Sequence, residues 1–413
     1  MNTGDRSDAA NRVTRSHAQT RATLRLAIAF LAAGVAAALV AALTGVDRWL
    51  ALHLFLAGGA VLAISAVSLM LTVTWSAAPA PPDRWVSFQR CCTALGAAGI
   101  ALGRSAGLPE PMVGLSGTLY LLGLAALAAL LVVTVRSGPK RRFDSAVASY
   151  LAAVCSGLVG AALGLTMALT NVSTPLRNAH VTANALGLVG LTIGGTLPYF
   201  ASTVGRSRMN RRATDARLRL TTGWQTVMVA LGVAALVGGA TAAAAVAFAG
   251  YSLGIAITLA WMPALTRRQL EWAGPRLIAL WAGCAWWIIA TGVTAWQLRS
   301  GQPAFADRWV IVLVVAGYGQ IMWGSLAYLL PMLRGGGHVL LSSGFATTRS
   351  WPGLVAANTA GVALAMSWDV LALTAACIWV IDGAIRVALI GTRRADRPAP
   401  ATTPAAEPAP EDS

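Results

Sequence analysis

The stretch Leu26-Ala-Ile-Ala-Phe-Leu-Ala-Ala-Gly-Val-Ala-Ala-Ala-Leu-Val-Ala-Ala-Leu-Thr-Gly-Val46 runs for 21 residues without a charge. As a helix at about 1.5 Å per residue it is about 30 Å long, the thickness of a bilayer's hydrocarbon core. Backbone groups in lipid must find their partners inside the segment, so such a run has to be helical. Working outward, similar runs recur along the whole chain. They lie at approximately 24–46, 50–75, 85–103, 112–135, 145–170, 179–203, 221–242, 245–265, 277–298, 309–332, 352–369 and 370–391. The expected fold is therefore an all-α integral membrane protein of about twelve spans, with both termini cytoplasmic. The domain reading has three parts: a disordered basic arm over 1–22, a transmembrane helical domain over 23–392, and a disordered Pro/Ala-rich tail over 393–413.

Composition agrees with this reading. Hydrophobic residues make up 56% of the 413 residues and charged ones 11%, against about 25% charged in soluble domains. The net charge of +16 has a topological cause. With the N-terminus inside, Arg48, Arg104, Arg177, Arg299 and Arg308 are the basic residues on the outer side. The remaining 26 of 31 fall inside, as the positive-inside rule requires. The lipid bilayer, with its anionic inner leaflet, is a sufficient partner for these loops, and nucleic acid is not expected. The expected location is the cell membrane, as a multi-pass protein. Cys91, Cys92, Cys155, Cys284 and Cys377 form no CxxC pair and read as buried structural thiols.

Asp-Arg-Trp occurs at 47–49 and again at 307–309, each time just before a span that starts on the outer side. The offset of 260 residues is about twice the 127 that separate His53 from His180. Spans two, six and ten would then hold equivalent places in three repeats of four spans. The alternative is interface chemistry, with Trp at the headgroups, and a third copy at 83–85 lies on the inner side.

His53 and His180 lie about one turn inside spans two and six. Imidazole in a membrane helix implies a partner, and such a pair can ligate a haem or hold part of a copper site. The competing reading gives each ring a carbonyl or water near the interface. Asn184, one turn after His180, shares its helix face. Gly58, Gly59, Gly187, Gly190, Gly194 and Gly195 permit close helix approach and equally leave room for a macrocycle. Gln320 and Met322 in span ten read as an interhelical hydrogen bond and a core filler rather than as ligands. Asp382 and Arg386 have the spacing of a helical ion pair within the membrane. No HExxH, GxSxG or P-loop pattern occurs.

Three segments carry a resemblance. Trp49-Leu-Ala-Leu-His53-Leu-Phe-Leu-Ala-Gly-Gly59, with Leu71-Thr-Val-Thr-Trp-Ser-Ala-Ala-Pro-Ala-Pro-Pro-Asp-Arg84, is similar to the membrane region of actinobacterial copper oxidases and copper-containing nitrite reductases. His180-Val-Thr-Ala-Asn184-Ala-Leu-Gly-Leu-Val-Gly-Leu-Thr-Ile-Gly-Gly-Thr-Leu-Pro198 and Trp323-Gly-Ser-Leu-Ala-Tyr-Leu-Leu-Pro331 resemble the same region. More distantly, the chain resembles the haem–copper oxidase subunit and NnrS-like membrane proteins. The resemblance implies three arcs of four helices. It assigns a haem role to His53 and a copper role to His180, with Asn184 as an orienting residue.

The chain also departs from that pattern. Thr182 stands where the relatives have a second histidine, and spans seven and ten carry none. No cupredoxin-like stretch follows the spans. An oxygen- or nitrite-reducing centre is therefore not expected in this chain alone. It would act, if at all, as an oxidoreductase component that passes electrons to a separate redox protein. Two other functions stay open: a small-solute or metal transporter, and a non-catalytic scaffold without the family's ligands.

Overall fold

A computed structural model describes residues 3–140, 143–170, 172–305, 307–335 and 337–392. Among the described residues all regular structure is helical. Twelve rods follow one another: α1 Thr3–Thr44, α2 Trp49–Ser76, α3 Asp83–Ser105, α4 Glu110–Ser137, α5 Asp144–Leu169, α6 Thr174–Val204, α7 Asp215–Val237, α8 Thr241–Trp261, α9 Pro275–Arg299, α10 Arg308–Arg334, α11 Trp351–Ala365 and α12 Asp369–Thr392. Short helices Arg267–Ala273 and Gly337–Thr347 cap two of the connections. Ten of the rods are long and apolar enough to cross a membrane; α3 and α11 are the others. Charges at Asp83, Arg84, Arg90 and Arg104 set α3 apart. The 15 residues of α11 rise only about 22 Å.

Three helices form the interior. In its most apolar stretch α6 is 89% buried, and α2 and α10 are each 61% buried, against 17% for α12. These three also share a backbone feature. Each is widened to π-helical bonding, over His53–Ala60 in α2, Thr182–Leu191 in α6 and Leu313–Gly319 in α10. Such widening loosens the regular bonding ladder and frees carbonyls for side chains to satisfy. Tyr120 of α4 donates to Ala57 O at 3.1 Å, and Tyr251 of α8 to Leu186 O at 2.7 Å. Tyr318 of α10 donates to Ala185 O at 2.8 Å, and Gln320 to Ala316 O at 3.0 Å.

A second set of polar contacts joins outer helices to this interior. Gln89 of α3 donates to Ser65 of α2 at 3.1 Å. Gln225 of α7 donates to Thr258 of α8 and lies against Gly194 of α6, where a Cβ would come within 3.0 Å of its Oε1. Asn358 of α11 donates to Gln320 of α10 at 3.1 Å. Gln320 is thus an interhelical hydrogen-bonding residue, as the sequence reading favoured.

Three sequence expectations need correction or limits. The arm over 1–22 is not disordered where it is described: α1 begins at Thr3 and continues into the span. Its side chains find partners in the α2–α3 connection. Arg12 donates to Ala77 O at 2.9 Å, Gln19 to Pro81 O at 2.8 Å, and Arg15 pairs with Asp83 at 3.2 Å. Arg21 donates to Leu333 O of α10 at 2.9 Å. Of the thiols expected to be buried, Cys92 and Cys284 are, while Cys91 and Cys155 are exposed. The tail over 393–413 lies outside the described residues.

The tyrosine bonds generate a test. Tyr120→Phe and Tyr251→Phe should each lower unfolding free energy in detergent by about 1 kcal/mol, the usual net worth of such a bond. No measurable loss in either would mean that the widened carbonyls are satisfied elsewhere. For the arm, Asp83→Asn should speed protease cleavage around residues 12–21, and an unchanged cleavage rate would deny the clasp.

Candidate histidine site

The structure brings His53 and His180 together. His53 is the fifth residue of α2 and His180 the seventh of α6, so both sit near the same end of the bundle. Their ring centres are 6.3 Å apart and their planes 14° from parallel. The Trp49 indole stacks on His53 at 3.8 Å, and the Arg104 guanidinium lies 5.6 Å from the Trp49 ring centre. Both histidines and Asn184 are half-buried.

Hydrogen bonding fixes each ring. His53 Nδ1 is 2.8 Å from Trp49 O, and His180 Nδ1 is 2.7 Å from Gly160 O. A carbonyl only accepts, so each Nδ1 carries the proton and donates. That leaves Nε2 with its lone pair in both rings. A backbone carbonyl holding the other ring nitrogen is the usual support behind a metal-ligating imidazole.

Helix α5 forms the seat for His180. A Cβ on Gly164 would come within 2.8 Å of His180 Cε1, and one on Gly160 within 2.4 Å of Asn184 Nδ2. Asn184 donates to the His180 backbone carbonyl at 2.9 Å. Its amide nitrogen is thereby committed, which makes Asn184 a positioning residue rather than a ligand. Sequence reasoning missed Gly160, Gly164, Trp49 and Arg104. The glycine pair was detectable as a small-xxx-small pattern; the Arg104 contact had no local signal.

The donor set can be compared with the candidate cofactors. Two imidazoles donating in line to one ion place their ring centres about 6 Å apart, given a metal–nitrogen distance of about 2.0 Å. The observed ring-centre distance of 6.3 Å is of that size, with the two rings stacked and their planes 14° apart. Among the described residues no group of three His, Cys, Asp or Glu side chains could hold a metal, and the pair offers two nitrogen donors. A haem does not fit. The glycines that could have made room for a macrocycle are already filled: Phe30 lies against Gly58, Leu31 against Gly59, Ser156 against Gly187, and Tyr251 and Trp287 against Gly190.

Asp382 and Arg386 are a structural clamp. Arg386 Nε lies 2.9 Å from both carboxylate oxygens of Asp382. Its Nη1 also donates to the carbonyls of Thr347 and Arg349, at 2.6 and 3.0 Å. The pair therefore ties α12 to the connection before α11, and it is remote in sequence and element from the histidines.

Gly160→Ala should push Asn184 off the His180 carbonyl and cost about 1–3 kcal/mol of stability, as overpacking does. Denaturant unfolding in detergent measures it, and a cost near zero would show the seat to be adaptable. No family model matches this chain, and no curated protein is similar to it in sequence.

Proposed function

We propose that this chain is a twelve-span membrane module built as three four-helix arcs, which holds one copper ion between His53 and His180 near the outer face and handles electrons for a separate redox protein. The arcs are α1–α4, α5–α8 and α9–α12. Supporting them, the π-widened stretches begin at His53, Thr182 and Leu313, spaced 129 and 131 residues apart. Tyr120 and Tyr251 are likewise 131 residues apart, and their acceptors Ala57 and Leu186 are 129 apart. The hydrogen-bonded amides Gln89, Gln225 and Asn358, the first two buried and the third half-buried, fall on the third helix of each arc. Interface chemistry alone would not space backbone widening this way.

The metal reading rests on one observation: two parallel imidazoles at 6.3 Å, each with Nδ1 on a carbonyl. A copper ion bound there supplies one-electron chemistry. The chain's own contribution is to fix both tautomers, to hold His180 against α5, and to shield one face of His53 with Trp49. Two nitrogen donors favour the soft cuprous state over cupric copper, which seeks four ligands. No part of this reading calls for catalysis by the chain alone.

Copper analysis of the detergent-purified chain, with its X-ray absorption edge and visible spectrum, tests the reading. About one cuprous ion per chain is expected, lost in His53→Ala and in His180→Ala, with no reduced haem band. A copper-free, featureless protein after copper loading would overturn it and leave a transporter or scaffold. A haem band lost in the same variants would instead favour the haem that the resemblance implied.

A further inference from the structure

A buried cation lies at the opposite end of the bundle from the histidines. Arg276, the second residue of α9, is only 2% exposed. Its hydrogen bonds are long: 3.3 Å to Ala273 O, 3.3 Å to Trp272 O and 3.5 Å to Thr348 Oγ1. The Phe345 ring lies 4.8 Å from the guanidinium. Arginine cannot shed its proton, so this charge persists in a low-dielectric setting.

The surroundings add positive charge. The Arg206 guanidinium sits 3.3 Å from the Trp272 ring centre, and Arg349 reaches within 3.2 Å of the position a Cβ on Gly274 would take. Both bear on Arg276 as like charges. Among the described residues none of these three arginines is in an ion pair, and Asp382 is committed to Arg386. The short helix Arg267–Ala273 turns its carbonyl end to Arg276, and its one carboxylate, Glu271, is paired with Arg267.

Arg276 also lines a cavity. Gln320, Trp323, Thr348, Ser350 and Trp379 share its wall with Pro275, Ala279, Leu354 and Ala357. The cavity encloses about 280 Å³ of empty space, counting its open mouth. Its enclosed part has room for about one water molecule, so a slightly larger occupant such as a halide extends into the open mouth. Thr348 Oγ1 donates to Phe345 O at 3.3 Å, and the Gln320 amide is engaged by Ala316 and Asn358. Ser350 Oγ accepts from Gly353 N and is hydrogen-bonded to the Asp382 carboxylate. The guanidinium, three of whose five N–H groups are engaged, is therefore the charged group of the wall left to meet an occupant, and the apolar remainder of the wall strengthens its field.

We propose that Arg276 anchors a binding site for one small inorganic anion of halide size, entered from the inner side. The anion supplies the countercharge that the fold does not provide. Basic inner loops concentrate anions at the mouth, and the cavity is too small for a lipid headgroup. The proposal does not depend on the metal reading.

Chlorine NMR line broadening tests it, with the full chain in nanodiscs of zwitterionic lipid titrated with chloride. A saturable component displaced by bromide but not by gluconate is expected. It should vanish in Arg276→Gln and persist in Arg268→Gln, which removes an exposed inner arginine. A wild-type chain without the saturable component, or an Arg276→Gln chain that keeps it, overturns the site. Should Arg276→Gln fail to fold, anomalous scattering from bromide-grown crystals of the unaltered chain decides. A peak beside the guanidinium supports the site, and peaks confined to the surface refute it.

Discussion

A backbone carbonyl inside a bilayer has no water to turn to, and the three central helices are built around that constraint. Each gives up regular bonding over seven to ten residues; in α2 and α6 side chains of neighbouring helices take freed oxygens, and in α10 its own Gln320 takes that of Ala316. Tyr120, Tyr251 and Tyr318 therefore do more than fill space, because each sets the rotation and depth of one helix against another. Burying such a hydroxyl is favourable only when its acceptor is in place. Helix association in lipid lacks a hydrophobic driving force, so contacts of this kind, together with close glycine approach, carry much of the specificity.

The histidine pair depends on the same framework. His53 begins the widened stretch of α2, and His180 sits just before that of α6. The change of helical pitch alters which way side chains face at that level, where the two rings stack at 6.3 Å. Gly160 and Gly164 then allow α5 close enough to grip His180.

Much of this was legible in the sequence. Apolar run length marked the twelve rods, most of them to within a few residues, although α1 starts at Thr3 rather than near 24 and α7 is displaced by five to six residues at its ends. The similar depth of His53 and His180 was legible too, as was the Asp382–Arg386 spacing. The widened stretches were not, since Ala-Leu-Gly runs carry no local sign of π-helical bonding. The arm of α1 misled for a related reason. Its polar residues read as solvated, and only the fold supplies the Pro81 and Asp83 partners that hold them. Arg276 looked like one more inner-loop charge, because burial at a helix start is a tertiary property.

The contact between Arg21 and Leu333 joins residues 312 apart in the chain. A ribosome makes the first of them early and the second only after ten of the twelve rods exist. Until then the arm can hold the α2–α3 connection but has nothing to grip on the far side. The first helix thus waits, half fastened, through most of synthesis, and its second attachment marks the moment when the end of the assembly meets its beginning. A chain truncated before α10 would keep its first grip and never make the other.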